Sequence, residues 1–217
     1  MVPRASIVFD EVTAPTGEPV TKFGGQPAWV DRPTWPLSRQ TGRPMRFIGQ
    51  VALDPRIFGT IPPRMAYLFM TDDEEFVDRT YEPEGGENAV VLQPGSFAGP
   101  ALEIAEGPTL YRMAAKPGQD RLVAEPCELA VTLDFGEELE SEEDDESEED
   151  QDGYANKIGG TPDFLQDDEY PDGGPWRLLL QLDSSSVPFS INFGDMGVGY
   201  AFLSEDGTVG KFLWQCC

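Results

Sequence analysis

A stretch of chain that occurs twice limits what this sequence can fold into more than any other feature. The first copy runs Lys22-Phe23-Gly24-Gly25-Gln26-Pro27-Ala28-Trp29-Val30 and reaches Phe47-Ile48-Gly49-Gln50-Val51-Ala52-Leu53. The second runs Lys157-Ile158-Gly159-Gly160-Thr161-Pro162-Asp163-Phe164-Leu165 and reaches Leu179-Leu180-Gln181-Leu182-Asp183. Lysine and glutamine stand 28 residues apart in one copy and 24 in the other. In each, a Gly-Gly turn with proline behind it ends a strand, a proline- and tryptophan-rich loop follows, and a short apolar strand carries one glutamine. Recurrence of such a unit marks a duplication. The expected architecture is one compact body over 1–217, built from pseudo-repeated halves at 1–136 and 154–217.

Twenty prolines and 23 glycines punctuate the chain. They leave room for many strands and turns but few long helices, so the expected class is β-rich α+β. Further strands are predicted at Ala66 to Met70, Ala89 to Leu92, Glu128 to Phe135, Phe189 to Phe193, Val198 to Leu203 and Gly210 to Gln215. Leu102 to Met113 is ambiguous between element types. No run approaches the roughly 20 apolar residues of a membrane helix, and the first residues contain no signal-peptide core, so a cytoplasmic location is expected. The odd set Cys127, Cys216 and Cys217, two of them adjacent, fits a reducing compartment.

Forty acidic against 15 basic residues give a formal charge of −25. Twelve of the 16 residues from Glu137 to Asp152 are carboxylates. With Leu139 as its one apolar residue, that run is expected to be a disordered acidic loop (137–153) between the halves. The remainder still carries −13, so the folded body is acidic as well. Such a field repels nucleic acid and anionic lipid and draws in cationic proteins.

Familiar catalytic designs are poorly supplied. The chain has no histidine, which removes the commonest general base, the Ser-His and Cys-His pairs and the usual nitrogen metal ligand. Asp183 and Asp195 are the best-placed carboxylates for acid/base work, yet aspartate is also a turn residue, and that role is expected of both. Gly194 to Gly199 does not follow the dinucleotide fingerprint. Glu148, Asp150, Asp152 and Gly153 imitate the start of a calcium loop, but its twelfth position is Gly159, where a glutamate is needed. No metal and no cofactor is expected. Lys22 and Lys157 are expected to pair locally or face solvent, and Trp29, Trp35, Trp176 and Trp214 to anchor core and loops.

Taken in order, Lys22 to Pro27, Trp35-Pro36, Phe47 to Leu53, Lys157 to Pro162, Gly194 to Tyr200 and Trp214 to Cys217 resemble the YwqG-like family of bacterial proteins. The resemblance covers most of the chain and implies a fold more than an activity. Members lie near bacterial toxin genes, which suggests immunity proteins, and a related eukaryotic domain resembles a chaperone for a basic ribosomal protein. Many relatives carry Cys-x-x-Cys after the Trp-Pro, where this chain has Leu37-Ser38-Arg39-Gln40. Any metal site there is lost.

The leading expectation is an immunity-type protein that occludes a cationic toxin, such as a nuclease, by replacing phosphate contacts with carboxylates. It implies a basic protein partner, with neither nucleic acid nor membrane bound. Three patches are candidates: Asp72, Asp73, Glu74 and Glu75; Glu142, Glu143, Asp144, Asp145, Glu146, Glu148, Glu149 and Asp150; and Asp167, Asp168 and Glu169. A chaperone for a basic cellular protein is the alternative, and an enzyme using carboxylates alone the third.

Overall fold

The computed structural model describes residues 1–73, 77–95, 97–118, 121–138 and 155–217. Its elements in chain order are β1 (Val2–Glu11), β2 (Lys22–Gly24), β3 (Trp35–Pro36), β4 (Arg46–Ala52), α1 (Pro55–Phe58), β5 (Met65–Met70), β6 (Asn88–Gln93) and β7 (Ala101–Leu102). There follow β8 (Tyr111–Ala114), β9 (Val123–Pro126), β10 (Glu128–Glu138), β11 (Lys157–Gly159), β12 (Trp176–Asp183), β13 (Val198–Ser204) and β14 (Gly210–Gln215). The α+β expectation is corrected to a β protein, since the one helix among the described residues is a single turn capped by Asp54. Glycine and proline recur too often for an apolar face to persist over a helix-length stretch.

Ten strands form one sheet in the order β14-β13-β12-β11-β1-β10-β2-β4-β5-β6. It curls into a nearly closed barrel, with β6 and β14 meeting along a seam. There Val90 occupies the space a side chain on Gly210 would need, and Lys211 reaches Glu84 at 2.7 Å. Two small sheets, β3-β7 and β8-β9, stand apart. None of the described helices is long and apolar enough to cross a membrane.

The centre of the sheet is the antiparallel β1–β10 pair, in register from Val2↔Glu138 to Glu11↔Leu129. Each lends its other edge to a short Lys-x-Gly strand: β1 to β11, with Ser6↔Lys157, and β10 to β2, with Ala130↔Lys22. Val2–Glu11 is a strand beyond those expected from the sequence. Its signal was a brief alternation in which Ala5 and Ile7 are buried while Val8 is exposed. Glu137 and Glu138, assigned to the acidic loop, instead complete β10, and residues 139–154 lie outside the described region. Phe189 to Phe193 is not a strand. It holds one bridge, Ser190 to Tyr111, while Phe189 and Phe193 enter the core.

β4, β5, β12 and β13 read as continuous apolar runs because both of their faces are buried. Along β5, Ala66, Leu68 and Met70 enter the barrel interior, while Met65, Tyr67 and Phe69 join Trp35 and Phe47 in a second, outer core. Along β13, Ala201 and Leu203 point inward; Val198, Tyr200 and Phe202 form a third core with Phe164 and Trp176 against it. Each outer core is roofed by the loop that follows a Gly-Gly turn.

Those loops are tied down by the same bonds twice. The Ala28 N–H donates to Gln50 Oε1 at 2.8 Å, as the Asp163 N–H does to Gln181 Oε1 at 2.9 Å. Tyr67 donates to the Ala28 carbonyl at 2.8 Å and accepts from the Val30 N–H; Tyr200 donates to the Asp163 carbonyl at 2.7 Å and accepts from the Leu165 N–H. Gln93 and Gln215 each accept from one loop N–H, of Asp31 and of Gln166, and donate to a loop carbonyl. Burial pushes the Tyr67 hydroxyl up to about 12, so it remains a neutral donor across ordinary pH.

Gly24 takes a left-handed backbone (φ 69°), and a Cβ there would fall on the Cys127 carbonyl oxygen. Gly42 has nearly the same φ (68°) with open space around it. Gly42→Ala is therefore expected to cost about 1 kcal/mol, the backbone term alone, and Gly24→Ala about 2–4 kcal/mol, because backbone must also move. Urea denaturation of the two variants checks this; equal losses would contradict it.

Candidate functional site

Of the acidic patches named from the sequence, Asp72, Asp73, Asp167, Asp168 and Glu169 fall among the described residues. Asp72 lies 2.7 Å from Arg46 Nε, and Arg46 Nη1 donates to the Thr109 carbonyl at 2.6 Å. Asp73 faces Arg43 at 3.5 Å. Asp167, Asp168 and Glu169 lie exposed in the loop over the third core, where the Asp167 carbonyl and Glu169 Oε2 accept from Gln215. Glu74 and Glu75 lie outside the described residues, as do Glu142, Glu143, Asp144, Asp145, Glu146, Glu148, Glu149 and Asp150.

Asp183, a sequence candidate for acid/base work, serves the fold. Asp183 is 2% exposed and accepts from the Ser185 N–H (2.8 Å) and hydroxyl (2.7 Å), closing the turn after β12. In the loop after Trp35-Pro36 a buried carboxylate holds the backbone: Glu87 accepts from Ser38 Oγ (2.6 Å), Thr71 Oγ1 (2.7 Å) and the Gln40 N–H (2.7 Å).

The two lysines do not face solvent; each bonds a group six residues away in the chain and also a more distant glutamate. Lys22 is 1% exposed; its ammonium meets Glu128 Oε1 at 3.1 Å and the Thr16 carbonyl at 2.7 Å. Lys157, 2% exposed, meets Glu138 at 2.9 Å and Asp163 at 3.2 Å. The two glutamates are the first and last residues of β10, so one strand supplies the counter-charge to both Gly-Gly turns. Each glutamate also accepts a backbone N–H, from Thr16 and from Thr161. The spacing within the repeats gave no sign of these partners, since Glu128 is 106 residues from Lys22.

Beside each turn lies a groove. The first, about 700 Å³, is walled by Gly25, Gln26 and Pro27, by Pro126 and Cys127, and by the 11–17 loop. The second, about 230 Å³, is walled by Gly160, Thr161 and Pro162 with Val2 and Pro3. The Gly25 N–H donates to the Cys127 carbonyl (2.8 Å) and the Gly160 N–H to the Pro3 carbonyl (3.0 Å), so the walls are built alike. Their contents differ. Glu11, Glu106, Glu128 and Arg112 line the first; Tyr170, Trp176 and Arg177 fill the second, with no carboxylate. Burial pushes the Cys127 thiol, inside the first groove, up to about 11. A thiol held neutral is a poor nucleophile.

From Thr21 to Thr208 the chain matches a family described as a domain of unknown function, DUF1963. The chain belongs to that family. No curated protein matches it. The family's span takes in both lysines, both Gly-Gly turns, the four loop-tying Gln and Tyr residues on β4, β5, β12 and β13, and Glu128 and Glu138, but ends before Gln215.

Two outcomes are expected. Lys22→Met leaves a buried carboxylate unpaired and should cost about 3–5 kcal/mol, while adding Glu128→Gln should restore part of the loss; a thermal double-mutant cycle measures the coupling, and simple additivity would contradict a linked pair. At pH 8, with about one Cys127 thiol in a thousand ionised, iodoacetamide should label exposed Cys217 well before Cys127, and Cys127 labelling should climb steeply toward pH 11. Mass-spectrometric timing of alkylation decides it.

Proposed function

We propose that this protein acts by binding: an immunity-type protein whose acidic surface engages and occludes a cationic protein partner, such as a toxin domain with a basic, phosphate-attracting groove. The observation that carries this reading is the disposition of charge. Most of the 15 basic side chains are already tied to carboxylates of the same chain, including Arg4, Arg32, Arg43, Arg46, Arg56 and Arg112. The surplus carboxylates therefore set the field at the surface, and Asp167, Asp168 and Glu169 stand in it exposed. Such a field speeds encounter with a basic protein and disfavours nucleic acid and anionic membranes.

The doubled set of loop-tying bonds supports reading the body as two repeated halves of one YwqG-like fold. A second functional reading, a chaperone for a basic cellular protein such as a ribosomal protein, is favoured by the first groove, whose volume suits several residues of an extended segment.

Binding of the captured partner, measured by stopped flow across ionic strength, tests the proposal. The partner should be basic, and association should fall about ten-fold or more from low to physiological salt, with a smaller change in dissociation. An acidic partner or a flat salt profile would overturn it. Growth rescue on co-expression with the partner separates an immunity role from a chaperone role, in which loss of this protein should instead lower the partner's solubility.

A further inference from the structure

The two Gly-Gly turns carry the same backbone design, yet the grooves beside them have diverged. At the second turn Tyr170 and Trp176 narrow the space to about 230 Å³, and Arg177 gives it a positive wall. At the first turn the space is about 700 Å³. Its walls are fixed in advance. Gln26 exchanges two 3.0 Å hydrogen bonds with Gly107, its side-chain amide donating to the carbonyl and accepting from the N–H. Thr109 donates to the Gly25 carbonyl, and Trp29 Nε1 donates to the Ala105 carbonyl at 3.0 Å, holding the backbone next to Glu106.

The charges in this groove are not equally free. Glu128 is held by Lys22, and Glu11 pairs with Arg112 at 2.6 Å. Glu106 is exposed and has no hydrogen-bond or ion-pair partner among the described residues. Pro15, Pro27 and Pro126 offer apolar surface without N–H groups, so a chain lying against them leaves none of their donors unsatisfied. A rigid, open groove with proline walls and one unpaired carboxylate is suited to an extended segment bearing a cation, whose charge forms a charge-assisted bond while its backbone needs little ordering of the host.

We propose that the groove beside the first Gly-Gly turn, Gly25-Gln26-Pro27, is the docking site for an extended, arginine- or lysine-bearing segment of the partner protein, with Glu106 receiving the cation. This rests on the reading that the partner is cationic, and it locates the contact away from the acidic runs.

The test uses the full chain, ¹⁵N-labelled, titrated with an acetylated and amidated pentapeptide, Gly-Ala-Arg-Ala-Gly, and with its citrulline counterpart, which keeps the shape and lacks the charge. The arginine peptide should shift the amides of Gly17, Gly25, Gln26 and Glu106 and leave those of Gly160 and Thr161 in place. The citrulline peptide, and the arginine peptide on Glu106→Gln, should each bind about ten-fold more weakly, the loss of one charge-assisted bond. Glu106 is exposed, so this variant should fold as the parent does, with an unchanged melting temperature. Arginine-dependent shifts confined to other surfaces, such as Asp167 to Glu169, would overturn the groove and leave the cationic-partner reading standing. Equal shifts from both peptides would overturn charge recognition at the groove. Absence of any shift at millimolar peptide would overturn the groove as a docking site.

Discussion

The structure depends on a sheet that is apolar on both faces. Barrel closure buries one face without further help, but the outer faces of β4, β5, β12 and β13 must be covered by loops, and loop backbone cannot be buried with its polar groups unsatisfied. Gln50, Tyr67 and Gln93 on one side, and Gln181, Tyr200 and Gln215 on the other, supply the missing donors and acceptors from within the strands. A glutamine serves well here because its amide both accepts and donates, answering one loop N–H and one loop carbonyl. The loops can therefore pack as core while remaining irregular in backbone.

The buried lysines extend the same logic to charge. An ammonium at 1–2% exposure is costly unless it is paired and hydrogen-bonded, and here each has at least one carboxylate partner. Because Glu128 and Glu138 sit at opposite ends of β10, the central strand locks both Gly-Gly turns at once. The acidic excess of the chain thus has two parts. Some carboxylates are internal fastenings, among them Glu87, Glu128 and Glu138, and others, such as Glu106 and Asp167 to Glu169, remain exposed.

The contrast between the two turns separates architecture from use. Both keep the left-handed glycines, the buried lysine and the bond to a neighbouring carbonyl, which are requirements of the turn itself. They differ in what fills the adjoining space: aromatic rings and an arginine at one, an open carboxylate-rimmed groove at the other. Packing alone would be satisfied by the filled arrangement, so the open one is where binding chemistry has room.

By itself the sequence determined most of the local elements. Gly24-Gly25 and Gly159-Gly160 announce turns because left-handed backbone favours glycine, and runs such as Met65–Met70 announce strands. Total charge was legible too, being a sum over residues. Tertiary structure alone decided the rest. That β1 pairs β11 while β10 pairs β2, that Glu128 answers Lys22 and Glu138 answers Lys157, and that Glu137 and Glu138 belong to a strand all depend on contacts between residues far apart in the chain. Phe189 to Phe193 looks like a strand by its alternation but has only one bridge partner, since sheet membership requires a neighbouring edge as well as a pattern. The grooves are the extreme case: a cavity is a relation among walls drawn from four or five separate segments, and no one segment carries its signature.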